Sequence, residues 1–344
     1  MSYELDILHG YEFATSWAII LSICSSVVLV YFNQINYLME KDEVYFHFEN
    51  RFRGKREQII RAFSIYDGVL DYCLKKYVNP RALDIGCGRG EWLEKLGKLG
   101  FSTLGIEVNN KMKSFCENLE INVIEGDAIE TLKTLPDNSF SIISLFHVIE
   151  HLDFEYIDKL FNECIRLISS EGILLIETPS IDNLIVATNN FYIDETHITP
   201  INVNKLIFNL NSSGFKSSCS YYINSGPLMD ADSLNLTRVL NGIAQDLSVI
   251  SSPSDFLFHE NSEDKLIIEK TIKKGLTTLE AASQFDEKLR SLEAKLDHFD
   301  LDFFNIRRNQ LNIEAKLDNI SLIYSKINNS IPFRLYKLII KILK

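Results

Sequence analysis

No two of the six cysteines form a Cys-x-x-Cys pair. Cys24, Cys73, Cys87, Cys116, Cys164 and Cys219 stand apart, most of them in apolar or strand-like surroundings. That spacing excludes a zinc ribbon and argues against a disulfide framework, so reduced, buried thiols are expected and no metal site. Basic charge is also scarce: 35 Lys+Arg face 47 Asp+Glu, a net charge of −12. A general nucleic-acid binder needs a basic surface to neutralise phosphates, so nucleic acid is not an expected partner. The deficit is local. Residues 1–78 hold 8 basic and 10 acidic side chains, residues 79–274 hold 16 and 28, and residues 275–344 hold 11 and 9. The acid is concentrated in the middle, and the tail is a different kind of polypeptide.

Charge vanishes altogether from Phe13 to Met39. Within that stretch, residues 14–33 are rich in Ile, Val, Leu and Phe, long enough to cross a bilayer as a helix. It does not read as a secretory signal, because Glu4, Asp6 and Glu12 precede it in place of a basic n-region. Lys41 and the basic cluster Arg51–Arg61 that follow suit a cytoplasmic C-terminal side. A helix docked on the domain or on a partner subunit fits the same residues. The basic cluster itself suits a carboxylate or phosphate, or simply a solvated helix start.

Gly and Pro are missing from the 56 residues between Gly275 and Pro332. Inside them Phe285, Leu289, Leu292, Leu296, Phe299, Phe303 and Ile306 begin a strict 4,3 spacing. It continues through Gln310, Ile313, Leu317, Ile320, Tyr324, Ile327 and Ile331, with Gln310 the one polar member. This is a heptad repeat, which predicts a left-handed coiled coil and a homo-oligomer. As one helix it would reach roughly 80 Å. Beyond Pro332 no acid remains, and Arg334, Lys337, Lys341 and Lys344 share a helical face of an otherwise apolar segment. That composition fits a membrane interface carrying anionic lipid, or a partner-binding helix.

The middle alternates short apolar runs with amphipathic segments. Strands are expected at Ala82–Ile85, Phe101–Ile106, Ile121–Ile124, Phe140–Leu145, Gly172–Glu177, Phe215–Ile223 and Lys265–Glu269, with a helix over Met229–Ile250. Such alternation predicts an α/β fold with a mostly parallel sheet. The expected domains are a helical region 1–78, a catalytic domain 79–274, a coiled coil 275–331 and a basic amphipathic helix 332–344.

The most informative run is Leu83-Asp84-Ile85-Gly86-Cys87-Gly88-Arg89-Gly90-Glu91-Trp92. A strand delivers Asp84, and a glycine turn opens a helix at Gly90. The third glycine comes one residue too early for the dinucleotide fingerprint, and an acid before the turn suits a cationic ligand group rather than a pyrophosphate. Glu107, closing the next strand, could accept both hydroxyls of a ribose. Asp127, after the third strand, could accept from an adenine amino group while the Ala128 amide donates back. Each acid alone has a structural alternative: Asp84 as a helix cap, Glu107 as a solvated strand end, Asp127 as an N-cap. Three at the ends of consecutive strands are harder to explain that way.

This order of motifs, ending in Leu145-Phe146-His147-Val148-Ile149-Glu150-His151, resembles class I S-adenosylmethionine-dependent methyltransferases over about residues 80–225. Arg51-Phe52-Arg53-Gly54, Glu177-Thr178-Pro179 and Asn190-Phe191-Tyr192-Ile193-Asp194-Glu195-Thr196-His197 narrow the resemblance. They are similar to the methyltransferase module of bacterial O-antigen chain-terminating enzymes, which also carry long C-terminal coiled coils. That family usually has Pro where Glu195 stands. Some members insert a kinase domain before the coiled coil, for which this chain has no room.

The resemblance implies a Rossmann-like seven-stranded sheet binding S-adenosylmethionine. It implies a cofactor loop of Asp84, Gly86, Cys87, Gly88 and Gly90, with Glu107 on the ribose, Asp127 and Ala128 at the adenine, and Phe146 and His147 close by. Arg53 matches a position that could bind the methionine carboxylate. The implied reaction is methyl transfer to a sugar hydroxyl at a polysaccharide end, on the cytoplasmic side of the bacterial inner membrane. A weakly nucleophilic hydroxyl benefits from a general base, for which His151 and His197 are the candidates. Asp194 could orient a histidine or bind sugar hydroxyls, and Phe191 and Tyr192 could stack on a sugar ring. A glycosyltransferase is a candidate partner. Two other functions remain open: a small-molecule or lipid O-methyltransferase, and a coiled-coil scaffold whose domain binds cofactor with little turnover.

Overall fold

The computed structural model describes residues 41–225, 236–260 and 262–343. The apolar segment 14–33 lies outside these residues. One compact unit ends at Thr278, and the C-terminal helices from Leu279 onward belong to a second.

The first unit is built on seven strands: β1 Arg81–Ile85, β2 Ser102–Glu107, β3 Val123–Glu125, β4 Phe140–Phe146, β5 Ile168–Pro179, β6 Ser217–Ser225 and β7 Ala244–Ser252. Its helices are α1 (residues 41–52), α2 Arg56–Ala62, α3 Asp67–Lys76, α4 Glu91–Lys98, α5 Asn110–Asn118, α6 Ala128–Leu132, α7 Phe154–Leu167, α8 Leu184–Thr188, α9 Val203–Ser213, α10 Leu236–Asn241, which reaches into the second unit, and α11 Glu263–Glu269. The strands lie in the order β3-β2-β1-β4-β5-β7-β6. The first five run parallel, and β7 is antiparallel to both β5 and β6. This is the Rossmann-like seven-stranded sheet expected from the sequence.

β4 lies at the centre because every one of its seven residues is buried. A strand covered on both faces reads as an unbroken apolar run. Its residues alternate between two cores: Ile143 and Leu145 pack with Leu160, Phe161 and Leu167 of α7, while Ile142 and Phe146 pack with Phe63, Tyr66 and Trp92. α7 turns one face inward because Ile157, Leu160, Phe161, Cys164 and Leu167 recur at helical spacing, and Asp153 caps its first turn. Strand order reverses between β1 and β4, which opens a crevice at the carboxyl ends of the parallel strands.

Two expectations are corrected. Lys265–Glu269, read as the last strand, lies in α11, capped by the Ser262 side chain accepting from the Lys265 amide. The seventh strand is β7, inside the stretch read as one helix; among the described residues of that stretch, Leu236–Asn241 is the helical part. A three-residue apolar run, Leu266-Ile267-Ile268, fits either period. β7 hides because small serines, Ser248, Ser251 and Ser252, take buried positions where branched residues would have signalled a strand.

The second unit contains α12 Thr278–Asn329, 52 residues long, and α13 Ile331–Leu343. From Leu289 to Ile327 every apolar member of the heptad seam is exposed, by 42–73%.

Candidate active site

β1 carries Asp84 into the interior, 3% exposed, where its Oδ1 accepts the Ser144 hydroxyl of β4 at 2.6 Å. Burial pushes this carboxyl up to about 7, although Ser144 and Arg53 pull it down. Gly86, Gly88 and Gly90 follow with φ of 67°, 52° and 74°, a region that glycine enters without strain. A Cβ at Gly86 would stand 2.6 Å from Val148 Cγ2; at Gly88 it would meet only Arg53 Nη1, at 3.4 Å. The middle glycine therefore opens on free space walled by Arg53. Cys87 points the other way, its Sγ packed behind Gly105, so only its backbone belongs to the loop.

Glu107 ends β2 with both oxygens engaged: Oε2 accepts the Gly88 amide at 2.7 Å and Oε1 the Asn109 amide at 2.9 Å. Burial pushes its carboxyl up against these bonds. Asp127 caps α6, Oδ1 accepting the Glu130 amide at 3.0 Å, while Oδ2 accepts the Tyr156 hydroxyl at 2.6 Å. Burial raises this carboxyl, but those donors outweigh it and hold it low. Ala128 is the half-buried first residue of α6. The structure thus brings Asp84, the three glycines, Glu107 and Arg53 to one edge, with Asp127 after the neighbouring β3. Arg53 pairs with Glu49 one turn back at 3.0 Å, while Arg56 pairs with Glu94 at 2.6 Å and so ties α2 to α4.

Beyond β4 the chain turns through His147, whose φ of 56° is unusual for a side chain with a Cβ. Its ring meets Glu150 at 3.2 Å through Nδ1 and Glu177 at 3.4 Å through Nε2. Burial alone would depress the imidazolium, but Glu150, Glu177 and Asp246 hold its pKa well above the ordinary histidine value. Phe146 is core, its ring 5.1 Å from Trp92 and 4.8 Å from Phe63.

His151 and His197 meet edge to face with centroids 4.6 Å apart. Thr196 Oγ1 donates to Asp194 Oδ1 at 2.6 Å and lies 2.8 Å from His151 Nδ1. With its one proton committed to a carboxylate, the hydroxyl accepts from Nδ1–H, which leaves the His151 Nε2 lone pair free. His197 Nδ1–H likewise donates to the Phe191 carbonyl at 2.7 Å. Burial, with His197 beside it, holds His151 below the ordinary value despite Glu150. Asp194 also accepts the Tyr45 hydroxyl at 3.2 Å, and Asn50 accepts from Arg89 at 2.8 Å, so α1 reaches both the glycine loop and the histidine pair. Tyr192 is exposed and Phe191 is buried.

Sequence reasoning missed Glu177, Asp246, Asn224 and Tyr66. Glu177 lies two residues before the end of β5, much as Glu107 closes β2, and that signal would have found it. Asp246 starts a strand instead of ending one. Because β7 is antiparallel, its first residues pair with the end of β5, Asp246 opposite Pro179.

Residues 83–176 match the family model described as a methyltransferase domain. The ubiquinone biosynthesis O-methyltransferase of Pelagibacter ubique (strain HTCC1062) is 31% identical over 137 residues, 37% of this chain and 52% of that one. The phosphoethanolamine N-methyltransferase of Plasmodium falciparum (isolate 3D7) is 34% identical over 103 residues, 28% of this chain and 38% of that one. The chain spans 52% or less of the length of these curated relatives. A solved structure, a SAM dependent methyltransferase from Archaeoglobus fulgidus, is 32% identical, with a TM-score of 0.54, over 60% of this chain and 98% of that one. A buried carboxylate at the mouth of a glycine cradle fits a cofactor that brings its own positive charge. On that fit and that coverage, the chain belongs to the class I S-adenosylmethionine-dependent methyltransferases, with S-adenosylmethionine as its cofactor.

Proposed function

We propose that the chain methylates a sugar hydroxyl at the end of a surface polysaccharide of the O-antigen type, on the cytoplasmic face of the bacterial inner membrane. The observation that carries this reading is the His151–Thr196–Asp194 relay, which offers an imidazole lone pair directly after the cofactor half of the sheet. The motif resemblance supports the polysaccharide, and the Pelagibacter relative, an O-methyltransferase by name, supports oxygen as the accepting atom.

S-adenosylmethionine supplies a methyl group already activated on a sulfonium. The residues need chiefly to align the acceptor, exclude water and take one proton. Asp84 and the glycine loop hold the cofactor, Glu107 its ribose and Asp127 its adenine. His151 Nε2 takes the hydroxyl proton as the new carbon–oxygen bond forms, and Asp194, through Thr196, steadies the imidazolium that results.

The proposal extends to assembly: a homo-oligomer through α12, membrane contact through 14–33 and 332–344, and a glycosyltransferase as neighbour. Among the described residues no helix is long and apolar enough to cross a membrane. H151N tests the chemistry. The glycan-dependent kcat should fall on the order of 10²–10³-fold with cofactor affinity unchanged. In the wild type the acid limb of the rate profile should lie below the ordinary histidine pKa, because His151 is held low. An unchanged kcat sinks the relay, and surface polysaccharide that carries the same methyl groups without the gene sinks the acceptor.

A further inference from the structure

At the ends of β4 and β5 and the start of β7 lies a cavity of about 190 Å³. Arg53 lines it and is also the atom nearest Gly88, so it opens on the cofactor loop. One wall is aromatic: Phe63 and Tyr66 stand 4.8 Å and 5.6 Å from the Phe146 ring. The opposing wall is polar, made by His147, Glu177, Asn224 and Asp246.

The polar wall is almost satisfied from within. Glu177 Oε2 accepts the Tyr66 hydroxyl, and its Oε1 accepts from Asn224 at 3.2 Å. Asn224 also donates to Asp246 Oδ2 at 2.9 Å. Asp246 Oδ1 is the exception. Among the described residues its nearest cation, His147 Nε2, is 4.0 Å away, beyond hydrogen-bond reach, and no donor closes on it. One carboxylate oxygen therefore faces the cavity with its acceptor capacity open. Asp246 is half-buried, so this oxygen is reachable from the cavity and can accept a donor brought from outside.

The lining narrows what that donor is. His147 already sits among Glu150, Glu177 and Asp246 as the matching cation, and Arg53 lines the same space. Arg53 is itself paired with Glu49, so charge does not separate an ammonium from a neutral hydroxyl here, and the shape and polarity of the walls decide. An aromatic wall facing carboxylate and amide oxygens suits a ring with one apolar face and a hydroxylated edge. Resting on the sugar-methylation reading above, we propose that this cavity holds a sugar ring of the acceptor, with Asp246 Oδ1 accepting one of its hydroxyls. The left-handed backbone of His147 is kept by the His147 amide donating to the Glu177 carbonyl at 2.8 Å, and it aims the ring between the acids. Asp246 is a specificity residue; proton removal stays with His151.

The test uses the full chain, radiolabelled S-adenosylmethionine and three acceptor probes: short oligosaccharides with free terminal hydroxyls, a dihydric phenol, and phosphoethanolamine. D246N should raise the oligosaccharide KM about 10- to 100-fold, the effect of losing a hydrogen bond to a charged group, with kcat and cofactor affinity little changed. N224A, which frees both carboxylates from their shared amide, should raise KM in the same direction and serves if D246N fails to bind cofactor. Oligosaccharide turnover with KM unchanged in both variants overturns the subsite and leaves sugar methylation standing. Turnover of the phenol or the amine alone overturns both. So does a wild type that binds cofactor and neither binds nor methylates any oligosaccharide.

Discussion

Asp84 shows how one residue trades stability for binding. Its folded carboxyl is pushed up to about 7, while an unfolded aspartate titrates near about 3.9. Between those values the folded state holds more protons than the unfolded one, so this residue's contribution to stability falls as pH rises from about 4 to 7. The ionised form is nonetheless what a cationic cofactor needs. D84N should therefore melt higher than the wild type at pH 8 without cofactor, converge with it near pH 4, and bind S-adenosylmethionine at least about tenfold more weakly. Calorimetry and thermal melts at both pH values check this. Equal cofactor affinity, or a wild type that gains on D84N as pH rises, would sink it. The sequence made this residue legible because an acid before a glycine turn has few other uses. It could not reveal that Asp127 would spend Oδ1 on its helix cap and Oδ2 on Tyr156, since Tyr156 is 29 residues away on another helix.

Elements explain the rest of what was and was not legible. The β1–α4 connection reads correctly because each of its glycines has its own reason: Gly86 and Gly90 would collide with Val148 and Ile121, and Gly88 faces the space bounded by Arg53. The β6–β7 ladder reads poorly because its pattern is set by neighbours. Cys219, Tyr221 and Ile223 pair with Ile250, Ser248 and Asp246, and a serine buried in that ladder gives no periodic signal. Misplacing β7 cost the site Asp246. A second element-scale device is the seam between α3 and α11. A Cβ on Gly68 would lie 2.3 Å from the Ile267 carbonyl oxygen, and the Gly68 amide donates to Thr271 Oγ1 at 2.9 Å. Alanine is the better helix former, yet here it would push the two helices apart. G68A should destabilise the domain by about 1–3 kcal/mol in urea. It should also raise acceptor KM, because Tyr66, just before α3, holds Glu177. A G68A variant as stable as the wild type would mean that the contact yields.

At the scale of the whole molecule, the net charge of −12 separates into an acidic catalytic unit for a cationic cofactor and a tail with a slight basic excess. The tail's main feature is an exposed seam. Isolated helices gain most of their stability from an apolar face packed against something, and α12 presents Leu289, Leu296, Phe303, Ile313 and Ile320 to solvent along 52 residues. The partner proposed for this seven-residue repeat is a copy of itself, with Gln310 as the polar position that could fix register or oligomer state. Replacing Leu292 and Leu317 by Asp puts a carboxylate into the seam at two levels and leaves the cofactor residues untouched. Sedimentation should show the wild type as an oligomer at micromolar concentration and the double variant as a monomer that still binds S-adenosylmethionine. A wild type that sediments as a monomer removes self-association. The seam would then belong to a different chain, and any multivalency that the proposed polysaccharide acceptor calls for would have to come from that partner.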